Sequence, residues 1–248
     1  VGLLTSRGGD DLRLIISSLN ELGYFCDLLL VDAVHFVPQS RPRLFIFGSR
    51  VVGNQEFLKE PHPSRPAPVV EFVRRHQALK WGFVSLPALP ASRSRLADIV
   101  ERPSSEDPAW WNTERQNHLY GQMSPLHKRT LEQLTKLRHS TFATVYKRVR
   151  PAGCRAEVRA DGIAGCLRTP RGGSSKQFLI QAGYGAWRVR NMTAREYARL
   201  QGVPDSFRID VPYNQALFGL GDAVCIPAVE WVVRSCMGFT KTHRAGAA

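Results

Sequence analysis

Val37-Pro38-Gln39-Ser40-Arg41-Pro42-Arg43-Leu44-Phe45-Ile46-Phe47-Gly48 places a glutamine and two arginines at alternate positions and then enters an apolar run. Alternate residues of an extended chain face the same way. The spacing therefore predicts that Gln39, Arg41 and Arg43 converge. Two guanidiniums and an amide in one place suit a planar, polar or anionic ligand. The same residues also suit a solvated hairpin edge.

Upstream, Leu12, Ile15, Ile16, Leu19 and Leu22 follow the spacing of an amphipathic helix. Gly23 stands where a helix end favours a left-handed residue. Tyr24 to Val31 reads as a buried strand, Asp32 to Ser40 as a loop, and Arg43 to Phe47 as a second strand. This helix–strand–strand order predicts an α/β fold and the trailing edge of its sheet.

Downstream the texture changes. Residues 49–110 are rich in Pro, Ser and Arg and predict irregular connections with short helices. Met123 to Arg138 carries leucines near one face and predicts a helix. Residues 140–185 predict short strands, with turns at Pro151, Asp161-Gly162 and Gly172-Gly173. Thr193 and Glu196 form a capping box for a short helix that ends at Gly202 before Pro204, with Arg195 available for a buried pair. The last helix is predicted to open near Pro227 and present Ile226, Val229, Val233 and Met237, with a disordered tail from Thr240.

The composition narrows the partners. A hydrophobic content of 43% is ample for a core, and no apolar run suggests a membrane span or signal peptide. The net charge of +13 predicts a polyanionic partner. Most of the 34 basic residues are arginine, the better side chain for bidentate phosphate and base contacts. The five cysteines are scattered and the seven histidines lack ligand spacing, so neither a disulfide framework nor a metal site is expected, and a reducing cytoplasm fits. The chain opens on Val1 without an initiator methionine, as a segment from within a longer protein would.

Two further segments join the first. One is Arg190-Asn-Met-Thr193-Ala-Arg195-Glu196-Tyr-Ala-Arg199-Leu200-Gln201-Gly202-Val-Pro204-Asp-Ser-Phe207. The other is Gly219-Leu-Gly221-Asp222-Ala223-Val224-Cys-Ile-Pro227. With the Gln-x-Arg-x-Arg run, these resemble, in order and spacing, three motifs of the DNA cytosine-5 methyltransferases. The resemblance spans Val1 to about Met237, and Val1-Gly-Leu-Leu is similar to the residues that follow the family's Glu-Asn-Val motif. The family's Gly-rich cofactor motif and Pro-Cys nucleophile have no counterpart here, since no Pro-Cys dipeptide occurs. Cys26 and Cys225 read instead as buried small hydrophobes.

The resemblance implies the C-terminal portion of such an enzyme, from a prokaryotic modification system acting in the cytoplasm at the nucleoid. The implied fold is the trailing part of a Rossmann-like, S-adenosylmethionine-dependent methyltransferase sheet plus a smaller, largely β or irregular DNA-recognition domain. The implied division is 1–50 catalytic, 51–212 recognition, 213–240 a terminal helix returning to the catalytic domain, and 241–248 tail. Its partners would be double-stranded DNA and the N-terminal catalytic half, on the same or a separate chain. Without that half, no methylation is expected, and the exposed apolar sheet face implies poor solubility or obligate assembly.

Among residues, the resemblance implies that Arg43 contacts the cytosine, that Arg41 holds a catalytic carboxylate on the other half, and that Gln39 fixes the loop. Gly221, Asp222, Ala223 and Val224 would border the cofactor pocket, with Asp222 standing where the family has asparagine. A carboxylate cannot donate as an amide does, so Asp222 is expected to cap a turn or meet a cation. Arg168, Thr169, Arg171, Gly172, Gly173, Ser174, Ser175 and Lys176 are the DNA-contact candidates, since glycines allow close approach and hydroxyls and cations suit phosphates and base edges. A polar surface turn is the alternative. Trp110-Trp111 suits either base stacking or a core. A basic DNA-binding module without catalysis would also explain the charge, but not the first and third motifs.

Overall fold

The computed structural model describes residues 2–52, 62–151, 153–169 and 176–245. The DNA-contact candidates Arg171, Gly172, Gly173, Ser174 and Ser175 lie outside the described residues. In chain order the elements are α1 (Gly2–Thr5), α2 (Asp10–Glu21), β1 (Phe25–Asp32), β2 (Pro42–Ser49), α3 (Ala67–Arg75), α4 (Leu96–Ile99), α5 (Thr113–Gly121), α6 (Pro125–Thr135), β3 (Thr141–Arg150), β4 (Gly153–Arg159), β5 (Gln177–Gly183), β6 (Ala186–Asn191), α7 (Ala194–Leu200), α8 (Tyr213–Asp222) and α9 (Ile226–Ala245). They fall into two compact units. The first comprises residues 1–35, 42–91 and 227–248, and the second residues 36–41 and 92–226.

In the first unit, β1 and β2 form an antiparallel pair from Phe25 opposite Ser49 to Asp32 opposite Pro42. Leu12 and Ile16 of α2 join Leu28 of β1, Val69 and Phe72 of α3, and Trp81 and Phe83 in one core. Ile15 and Leu22, expected on the buried face, are exposed. The α2 stripe is thus narrower than its periodicity suggests. Gly23 takes the left-handed conformation foreseen for it (φ 85°). Buried Asn20 ties this helix end to the loop before Trp81: its amide donates to the Tyr24 and Lys80 carbonyls (2.9 and 3.0 Å) and accepts from Lys80 N–H (2.8 Å).

The sequence boundary at 50 moves. Residues 62–91 belong to the first unit because α3 and Trp81–Phe83 complete its core. A buried ion pair also binds them there. Arg65 Nη2 lies 2.5 Å from Asp27 Oδ2, and Val84 N–H donates to the same oxygen (3.0 Å). Burial pushes the Asp27 carboxyl up in pKa, and Arg65 opposes this.

The second unit is built on a four-stranded antiparallel sheet in the order β4-β3-β5-β6. One face carries Val145, Phe178, Ile180 and Val189 against Trp111, Leu119 of α5 and Leu131 of α6. Leu179 belongs to a second core with Leu96, Ile99, Leu167, Tyr197, Leu200 and Leu217. Consecutive β5 residues thus serve opposite faces, as strand alternation requires. Trp111 is core, edge-on to Phe178 at 4.9 Å. Trp110 is half-buried beneath the Arg188 and Arg190 guanidiniums, 4.0 and 5.5 Å from its ring centroid. The β5–β6 turn, Tyr184-Gly185, has both residues at positive φ, which suits a two-residue hairpin.

The capping box of α7 forms as its sequence predicts. Glu196 forms a buried pair with Arg190, at 2.5 Å. Arg195 is half-buried and donates to the Phe207 carbonyl (2.7 Å). The single terminal helix expected at 213–240 is two helices in different units. The chain leaves helical geometry at Ala223 (ψ 160°), and α9 has Pro227 as its second residue. Residues 213–226 belong to the second unit and residues from Pro227 to the first. Tyr213–Met237 has the length and mean hydropathy (1.6) of a membrane span, but this break divides it. Helix α9 runs to Ala245, past the Thr240 where the sequence predicts a tail; residues 246–248 lie outside the described set.

Candidate functional site

The segment 36–41 lies in sequence between two strands of the first unit but belongs to the second. Its backbone explains why. Ala164 N–H donates to Pro38 O (2.8 Å) and Ser40 N–H to Ala164 O (3.0 Å), so residues 38–40 run beside 164 as a parallel bridge. Gln39 and Arg41 then face the interior, 0% and 1% exposed. Gln39 Oε1 accepts from Leu167 N–H (3.1 Å), and its Nε2 donates to Leu200 O (2.6 Å). Arg41 Nη1 donates to Leu167 O, and its Nη2 to Gly221 O (3.0 Å) and Ala223 O (2.5 Å). One guanidinium thus bridges residues 167 and 221–223.

The three segments singled out in the sequence therefore meet in one unit. Gln39 and Arg41 come from the first, Leu200 and Gln201 from the second, and Gly221 to Ala223 from the third. Gln201 is fully buried and was not singled out for a site role. Its Nε2 donates to Leu220 O (2.6 Å), and its carbonyl accepts from Ile226 N–H (2.9 Å). The available signal was a polar side chain between Leu200 and the helix-ending Gly202. Arg43 belongs to the first unit, half-buried at the start of β2, where its Nη1 donates to Pro42 O (3.1 Å). The expected three-way convergence is thus observed as a Gln39–Arg41 pair around the Leu167 backbone.

The closing segment is tightly packed at Gly221. A Cβ on Gly221 would lie 2.6 Å from Arg168 C and Thr169 N, so its bare face is filled by backbone. Exposed Asp222 accepts from the Thr169 hydroxyl, and the Ala223 carbonyl is held by Arg41. Val224 is exposed. Of the four residues expected at a cofactor pocket, Gly221 and Ala223 engage their carbonyls, and Asp222 its carboxylate, within this chain.

Of the described DNA-contact candidates, Arg168 is exposed and Thr169 half-buried. Lys176 Nζ donates to Asn214 Oδ1 (3.1 Å) and lies over the Tyr213 ring (5.6 Å). Burial and the neighbouring Arg190 charge lower the pKa of Arg188. Cys26, Cys225 and Cys236 are buried. Burial pushes the thiols of Cys26 and Cys236 up to about 11 and about 12, the opposite of what a nucleophile requires. Among the described residues no cluster of His, Cys, Asp and Glu could hold a metal ion.

The family model for C-5 cytosine-specific DNA methylase matches residues 1–238. The type II methyltransferase M.NgoBI of Neisseria gonorrhoeae is 24% identical over 94% of this chain and 57% of its own length. M.HaeII of Haemophilus aegyptius is 25% identical with the same coverages. The chain thus spans somewhat over half the length of these curated relatives. Among solved structures, the Entamoeba histolytica methyltransferase EhMeth superposes with a TM-score of 0.51 at 10% identity, covering 92% of this chain and 58% of that one, a likeness of fold. The match over nearly the whole chain, together with the three segments brought into one site, shows that this chain belongs to the C-5 cytosine-specific DNA methylase family.

Proposed function

We propose that this chain supplies target recognition and part of the active site of a type II DNA cytosine-5 methyltransferase. The observation that carries this reading is the grip of Gln39 and Arg41 on Leu167 and on Gly221–Ala223. It ties two segments resembling the catalytic motifs to the root of the candidate DNA-contact segment. The first unit, with α2, β1 and β2, is the trailing part of a Rossmann-like sheet in this reading, and the four-stranded second unit carries DNA recognition.

The complete enzyme would take the methyl group from S-adenosylmethionine. The family's reaction adds a thiolate to C6 of a flipped-out cytosine, methylates C5 and then eliminates. Donors near O2 and N3 stabilise the electron density that addition pushes onto the ring. Arg43 is the residue of this chain proposed for that contact. Arg41, buried against backbone carbonyls, positions its neighbours. The thiolate must come from a polypeptide outside this sequence, because no Pro-Cys dipeptide occurs in it.

The test is duplex-DNA binding by the chain at two salt concentrations, followed by methyl transfer from labelled donor after mixing with a Pro-Cys-bearing half of the same family. Binding should weaken steeply with salt, as expected when phosphates are neutralised. Substituting Arg168, Arg171 or Lys176 should lower that slope. Transfer should require the added half and be lost in Arg43→Ala. Wild-type turnover in Arg43→Ala would remove that assignment. DNA binding with no transfer in any mixture would favour a non-catalytic binding module.

A further inference from the structure

Gly221 has no positive φ to explain it; what it meets is the Arg168–Thr169 backbone, at distances that leave no room for a methyl group. The neighbouring Asp222 binds the Thr169 hydroxyl, and both residues close the C-terminal turn of α8. At the other end of the same helix, Asn214 accepts from Lys176, which also covers Tyr213. Tyr213 is anchored in turn by its hydroxyl donating to Met192 O (2.9 Å). Gln177 N–H, next in the chain after Lys176, donates to the oxygen of buried Tyr197 (2.9 Å). The residues flanking 170–175 are therefore tied to the two ends of one ten-residue helix. At 1.5 Å per residue, that helix is about 15 Å long.

We infer that α8 is the gauge for target recognition: Gly221 and Asp222 at one end, and Asn214 at the other, set the positions of Thr169 and Lys176, and so which base pairs are read. This rests on the DNA-recognition reading above. Asp222 is a positioning residue, acting on DNA through Thr169. It is well suited to that role, since it accepts the Thr169 hydroxyl and needs to donate nothing. A carboxylate near DNA also opposes phosphate, so Asp222 contributes through the hydroxyl it holds rather than through affinity.

The distinguishing readout is sequence preference rather than bulk affinity. The full chain, as wild type, Asp222→Ala, Asp222→Asn, Thr169→Val and Asn214→Ala, is used to select sites from a random duplex library, with thermal unfolding followed in parallel. The wild type should enrich a defined sequence. Asp222→Ala and Thr169→Val should lower its enrichment about fivefold, the size of one lost hydrogen bond, at unchanged Tm. Asn214→Ala should weaken preference at the other edge of the site. Asp222→Asn keeps an accepting oxygen and should retain preference while binding all duplexes more tightly. Wild-type preference in Asp222→Ala and Thr169→Val overturns the inference and leaves the recognition reading intact. A wild type that enriches no sequence overturns both. If Asp222→Ala lowers Tm, Thr169→Val decides by the same criterion.

Discussion

Residues 167–169 and 221–223 are joined at two places, and the two joints differ in burial. Arg41 is enclosed and donates to carbonyls on both sides. Asp222, on the surface, accepts one hydroxyl from half-buried Thr169. A buried group cannot exchange its protein partners for water, whereas an exposed one can. The same pair of segments is thus held for folding by one contact and adjusted by the other.

Replacing Arg41 with alanine should be among the most damaging changes. It removes the charged donor from the carbonyls of Leu167, Gly221 and Ala223, at a cost of about 3 kcal/mol. Chemical denaturation of the second unit should show it, and near-wild-type stability would place Arg41 outside the frame. Glu196→Ala tests whether any buried arginine behaves this way. It leaves Arg190 charged and buried, with an expected loss of about 3–5 kcal/mol. If Glu196→Ala is severe and Arg41→Ala mild, an ionic partner rather than burial sets the ranking.

Gly221→Ala probes the interface between the two joints. Its Cβ meets backbone that cannot swing aside, so a loss of about 1–3 kcal/mol is expected, together with altered DNA preference. Thr169→Val should leave stability at the wild-type value in the same denaturation series, since water replaces the surface contact. Cysteine chemistry supplies a further small effect. At pH 8 Cys26 and Cys236 should resist thiol reagents in the native chain, because burial keeps them protonated until about 11 and about 12. The sign follows: unfolded thiols ionise near 8.5, so this source of stability is complete below that pH and lost as pH rises towards the folded values. Half-buried Cys166, whose Sγ lies 3.5 Å from Arg41 Nη1, reports the buried joint. It should label faster in Arg41→Ala and at the wild-type rate in Thr169→Val.

Much of the secondary structure was legible because its signals are local. The Thr193–Glu196 capping box, the turn at Gly23 and the start of the last helix at Pro227 each depend on a few neighbouring residues. Helix α3 was harder to read, since Ala67–Arg75 follows a proline cluster that favours an irregular reading and is helical where Phe72 and Val73 reach a core. The Arg190–Glu196 pair was not read from the sequence, because it forms only when strand β6 delivers Arg190 to Glu196. Within the site, Gln39 and Arg41 could be picked out by type and spacing. Gln201 and Asn214 were not, because their partners lie 19 and 38 residues away.

By itself the sequence determined the family, the basic character, the lack of a Pro-Cys nucleophile and the polar residues worth following. Those properties reside in residue identity and order. Tertiary structure decided what each polar group faces. It turned residues 38–41 from a strand edge into a buried clamp by pairing them with Ala164. It also seated Thr169 against Gly221 and Asp222. A hydrogen bond depends on distances between groups far apart in the chain, and motif spacing along that chain does not contain those distances.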